Sequence, residues 1–73
     1  MARLPAVSGR QAVAAFQRAG FDVSRQRGSH IIMQRNAKSG TNTVPVPDHK
    51  EILIGTLRSI IRQSGLARSE FES

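Results

Sequence analysis

Two glycines divide this chain. Gly20 and Gly65 each follow a stretch whose apolar residues recur at helical spacing, and between them the pattern changes to alternation. Glycine commonly sits just past a helix C-terminus, because it takes the left-handed conformation without steric cost. A chain that reads helix, stop, alternating strands, helix, stop has few ways to bury its apolar side chains. The strands must form one sheet, and the helices must cover one face of it.

The first helix is predicted over residues 9–19. Ser8 and Gln11 have the spacing of a capping box, and Ala12, Val13, Phe16 and Ala19 form the apolar stripe. Before it, Leu4-Pro5 is expected to be extended. Phe21 to Arg27 reads as a strand with Phe21 and Val23 on one face. Gly28-Ser29 has the composition of a two-residue hairpin turn. His30 to Arg35 is a second strand, with Ile31 and Met33 facing one way and His30, Ile32 and Gln34 the other. Asn36 to Asn42 reads as a polar loop. Thr43 to Pro47 is a third strand, with Val44 and Val46 inward. Pro45 cannot donate to a ladder, so this strand belongs at an edge or carries a bulge. The second helix starts either at Asp48, through an Asp48/Glu51 capping box, or later, near Gly55. Leu57, Ile60, Ile61 and Ser64 carry its stripe, and Leu66 and Phe71 are expected to close the core. The order α-β-β-β-α predicts an α+β fold. It has a three-stranded antiparallel sheet with both helices on one face, in a single domain spanning residues 1–73.

Composition narrows the function. A 73-residue chain has a thin stability margin, and with no Cys it has neither disulfides nor most structural zinc sites. No apolar run approaches the roughly 18 residues of a membrane span, and no secretory signal is visible, so a cytoplasmic protein without a membrane partner is expected. Eleven Lys and Arg against five Asp and Glu give a net charge of +6, and nine of the eleven cations are Arg. Arg binds phosphate bidentately, which favours a nucleic-acid partner. Phe21 is the sole aromatic residue on the strands, so binding should depend on phosphates more than on base stacking.

His30 is the residue best suited to chemistry. It follows a Gly-Ser turn and lies among Arg25, Arg27 and Arg35. An imidazole exchanges a proton near neutral pH, and nearby cations would hold a phosphodiester. RNA brings its own nucleophile, the 2′-hydroxyl, so one base needs neither metal nor cofactor. A strand histidine that caps a turn or only binds phosphate is the plainer reading of spacing alone. Gly28 and Ser29 read as turn formers. Arg25, Arg27, Arg35 and Lys38 are candidate RNA contacts in one patch. His49 is a candidate second acid or base, if the strand ends bring it toward His30, and Asp48 is expected to cap the following helix.

Several runs together resemble the HicA (YcfA-like) toxin family. They are Gly20-Phe21, Arg25-Gln26-Arg27-Gly28-Ser29-His30, Val44-Pro45-Val46-Pro47 with His49, and Gly55-Thr56-Leu57-Arg58 through Gly65-Leu66. The resemblance implies a fold like a double-stranded-RNA-binding domain. It further implies a toxin of a type II toxin–antitoxin pair, an mRNA-cleaving endoribonuclease with His30 as its essential histidine. A HicB-like antitoxin would cover that histidine, and operator DNA would be bound only through the toxin–antitoxin complex. Two other readings stay open: a non-catalytic double-stranded-RNA-binding module, and an inactive toxin-like subunit of a repressor complex.

Overall fold

The computed structural model describes residues 6–38 and 40–71, so the expectation for Leu4-Pro5 lies outside the described residues. The elements are α1 (Gly9–Arg18), β1 (Asp22–Arg27), β2 (His30–Ala37), β3 (Gly40–Pro47) and α2 (Ile54–Ser64), followed by a 3₁₀ turn over Arg68–Phe71. The strands form an antiparallel meander in the order β1-β2-β3, the α-β-β-β-α arrangement expected. β3 is an edge strand, as Pro45 requires.

Local chemistry explains the ends of α1. Ser8 Oγ accepts from the Gln11 N–H at 3.1 Å, and Gln11 Oε1 accepts from the Ser8 N–H at 2.9 Å. Such a cap contributes about 1 kcal/mol. After the helix, Gly20 turns the chain at φ 97°, and Phe21 enters the core.

The core lies between one sheet face and both helices. Ile31 and Met33 of β2 stand opposite Val46 and Val44 of β3, and all four are buried. Ala12, Ala15 and Phe16 cover them from α1, and Leu57, Ile60 and Ile61 from α2. Phe16 packs edge-on to Phe21, with ring centroids 5.4 Å apart, and against Phe71 at 4.9 Å. The 3₁₀ turn therefore closes the core through Phe71, with Leu66 packed beside it.

Three expectations are corrected. Asn36, Ala37 and residues 40–42 are ladder and not loop: β2 runs to Ala37 and β3 begins at Gly40, with Ala37 opposite Gly40. The side chains there are polar because the pair extends beyond the apolar core, but the backbone ladder continues. Asp48 does not cap α2. The helix begins at Ile54 after Leu53, with no side-chain cap. The Asp48 carboxylate instead meets Arg10 Nε at 3.4 Å. Arg35 does not join the outer face. It shares the inner face with Met33, because alternate residues of a strand point the same way. There its guanidinium lies 4.8 Å from the Phe21 ring centre, and it reaches the carbonyls of Ala19 at 3.3 Å and Ser64 at 3.5 Å. Those carbonyls end α1 and α2, where the helix dipoles favour a cation. Asn42, opposite Arg35, donates to the same Ser64 carbonyl at 2.8 Å.

Segment 47–52, between β3 and α2, is anchored by the buried Ile52, by the Asp48–Arg10 pair and by three backbone hydrogen bonds. Gly9 N–H donates to the His49 carbonyl at 2.8 Å, Ile52 N–H to Val7 at 2.8 Å, and Asp48 N–H to Ser29 at 2.6 Å. A Cβ on Gly9 would fall 2.3 Å from the Pro47 carbonyl oxygen and 2.8 Å from Asp48 Cα.

Gly9→Ala should therefore destabilise the protein by about 1–3 kcal/mol, since backbone atoms cannot rotate aside. In a domain of this size that lowers Tm by roughly 5–20 °C. Thermal unfolding by circular dichroism checks this. Arg35→Ala should cost about 1–2 kcal/mol by the same measurement, from the lost contacts to the helix ends and the Phe21 ring.

Candidate active site

His30 opens β2 directly after the Gly28-Ser29 turn, with Gly28 at φ 58°. Its Cα partners are Arg27 on β1 and Pro47 on β3. The side chain is exposed on the sheet face that carries no helix, with Ile32 and Gln34 on the same face.

A bulge in β1 places cations on that face. The register shifts between Val23 and Arg25. Val23 stands opposite Met33 and so belongs to the inner side, yet Arg25 stands opposite Ile32 and Arg27 opposite His30. In an unbroken ladder, Arg25 would lie opposite Ile31 and point toward the core. The extra residue, Ser24, re-aims everything after it. Val23 ends up 47% exposed on this edge strand, whereas Phe21 is buried.

Arg25, Arg27 and His30 thus share the outer face at one end of the sheet. Lys38 does not join them. It sits in the β2–β3 turn, eight residues along β2 from His30, which is roughly 26 Å at the usual strand rise. Arg35 lies on the opposite face, as described. Of the four cations read as one patch, two are brought together.

The segment carrying His49 comes to the same end of the sheet. Pro47 pairs with His30, Asp48 N–H bonds the Ser29 carbonyl, and the His49 carbonyl bonds Gly9. His49 is exposed there, two residues beyond the partner of His30.

Two depressions meet at His30. One, of about 620 Å³, is lined by Arg27, Gly28, Ile32 and Pro45. The other, of about 320 Å³, runs between β3 and α2 and is lined by Pro45, Pro47, Thr56, Ser59 and Gln63, among others. Sequence reasoning did not single out those α2 residues. Their spacing is the available signal: positions 56, 59 and 63 make one uncharged polar ridge between the apolar stripe and the arginines of α2. Among the described residues, no three His, Cys, Asp or Glu side chains gather as a metal site, and no helix is long and apolar enough to cross a membrane.

No curated protein matches the chain. A family model described as the HicA toxin of bacterial toxin-antitoxin systems matches residues 9–66. That span starts at the first residue of α1 and ends two residues past α2, so it takes in the whole sheet, both helices and the face around His30. By that match, the chain belongs to the HicA toxin family.

Proposed function

We propose that this toxin of a toxin–antitoxin system is an mRNA-cleaving endoribonuclease that works without a metal ion, with His30 as its general acid or base. One observation carries the reading: the bulge in β1 turns Arg25 and Arg27 onto the face of the exposed His30, beside the register position of the imidazole. A proton-exchanging group next to two cations suits a phosphodiester substrate.

The chemistry follows from RNA itself. The imidazole of His30 takes the proton of a ribose 2′-hydroxyl, and the 2′-oxygen attacks the adjacent phosphorus. The P–O5′ bond breaks, and the departing 5′-oxygen takes up a proton. The products are a 2′,3′-cyclic phosphate, which water hydrolyses to a 3′-phosphate and a free 2′-hydroxyl, and a 5′-hydroxyl end. Arg27 and Arg25 bind the phosphate and stabilise the charge on its oxygens as bonds form and break. Gly28 and Ser29 form the turn that aims His30. His49 is the candidate for the second proton transfer, because the Asp48–Ser29 hydrogen bond anchors its segment beside that turn.

The partner in this reading is a HicB-like antitoxin that covers His30. The net charge of +6 and the uncovered outer face suit an acidic protein surface. Operator DNA is reached only through the toxin–antitoxin complex.

Purified protein should cut end-labelled single-stranded RNA in excess EDTA, leaving 5′-hydroxyl ends. His30→Ala should lose about 10²–10⁴-fold in rate and keep its RNA affinity within a few-fold. Strict Mg²⁺ dependence or 5′-phosphate ends would overturn the mechanism. RNA bound equally by both proteins and cut by neither would favour a non-catalytic binding module.

Arg25→Gln and Arg27→Gln should each weaken RNA binding and reduce the slope of log affinity against log salt by about 0.7, with Tm unchanged. Lys38→Gln should leave cleavage at its wild-type rate. Fluorescence anisotropy over a salt series checks the slopes.

A further inference from the structure

The two depressions that meet at His30 differ in charge. The larger holds Arg27, with Arg25 on the same sheet face. In the smaller, every lining residue other than His30 is uncharged. In a chain of net charge +6 that neutrality is selective. Helix α2 carries two arginines, yet Arg58 and Arg62 line a different depression with Leu66. The helix turns Thr56, Ser59 and Gln63 toward His30 and its cations elsewhere.

Those three side chains suit a particular ligand group. Each hydroxyl donates one hydrogen bond and accepts others, and the Gln amide offers two donors and a carbonyl. Hydroxyls and amides pair with base edges as well as with phosphates, and a groove lined without Arg or Lys has no fixed charge to draw a phosphate. The opposite wall carries Pro45, half-buried, whose ring offers apolar surface to the face of a base, with the buried Pro47 beside it. The volume, about 320 Å³, is at the lower end of the range for small-ligand sites. Sequence-specific RNA recognition mostly uses unpaired bases, whose edges are free.

We propose that the groove between β3 and α2 is a nucleobase-reading subsite. Thr56, Ser59 and Gln63 hydrogen-bond the edge of an unpaired base next to the scissile phosphate, and Pro45 packs against its face. The subsite selects which RNA sequences are cut at His30, while Arg25 and Arg27 hold the backbone whatever its sequence. This inference rests on the reading of the chain as a His30-dependent ribonuclease.

The test uses an RNA pool randomised across a central window, cut by wild type, His30→Ala, Ser59→Ala/Gln63→Ala and Arg58→Gln, with the bases flanking each cut sequenced. Ser59, Gln63 and Arg58 are all exposed, so folding is not at stake. Wild type should prefer a particular base at a flanking position. The double variant should lose that preference about tenfold or more, and Arg58→Gln should keep the wild-type pattern. Cutting that still needs His30 but shows the same flanking bases in the double variant overturns the subsite alone, as does wild-type cutting with no preference. Absence of His30-dependent cutting overturns the ribonuclease reading, and the subsite with it. As a readout independent of turnover, 4-thiouridine RNA bound to His30→Ala should photocross-link to residues 45–47 or 56–63. Cross-links confined to residues 25–29 overturn the subsite.

Discussion

Helix α1 reaches the end of β3 only because residue 9 has no Cβ. Its N–H bonds the His49 carbonyl, and the space a methyl group would fill belongs to the Pro47 carbonyl. This close approach organises one end of the molecule. It fixes segment 47–52 against Val7 and Gly9, and that segment in turn bonds the turn before His30 through Asp48 and Ser29. Arg10 joins the same seam through the Asp48 carboxylate. Helix, strand end and hairpin turn thus meet where the candidate chemistry lies, linked mainly through backbone groups. Backbone links suit such a site, because they leave the side chains of His30 and His49 uncommitted.

At the other end of the sheet the join is made by side chains. Arg35 and Asn42 reach the last carbonyls of the helices, and Ser64 Oγ, buried, donates to the Ile61 carbonyl and accepts from the Leu66 N–H. Both roles of this buried hydroxyl are filled, and among the described residues no buried side-chain polar atom lacks a partner. β2 runs between the two ends. Its inner residues hold the core and its outer residues hold His30, so one strand's alternation separates stability from chemistry.

Much of this was legible in the residues. Ser8 and Gln11 announced the start of α1, Gly20 and Gly65 the helix ends, Ile31 and Met33 the buried face, and Pro45 the edge. What was hidden has physical causes. The bulge at Ser24 leaves no mark in composition, because one extra residue in a polar strand looks like any other. The Asn36–Asn42 ladder was hidden because backbone pairing continues where no apolar side chain reports it. The start of α2 was ambiguous because no side chain caps it. Arg35 reads as a surface charge until two helix ends are known to converge on it. Within the candidate site, His30 stood out through its Gly-Ser turn. Thr56, Ser59 and Gln63 did not, because their proximity to it depends on how α2 lies along β3.

The two edges of the sheet are unequal. A proline nitrogen cannot bond to β2, so those of Pro45 and Pro47 face outward, and the free edge of β3 lacks donors at both positions. β1, the other edge, is blunted by different means, the bulge at Ser24 and the charges of Arg25 and Arg27. A sheet blunted at both sides resists lengthening. Two chains meeting β1 to β1 would leave a proline-bearing edge at each end, closing the assembly as a symmetric pair instead of opening a fibre. A short chain with an uncovered sheet face is thereby protected against self-templated aggregation by two residues that also shape the groove beside its histidine.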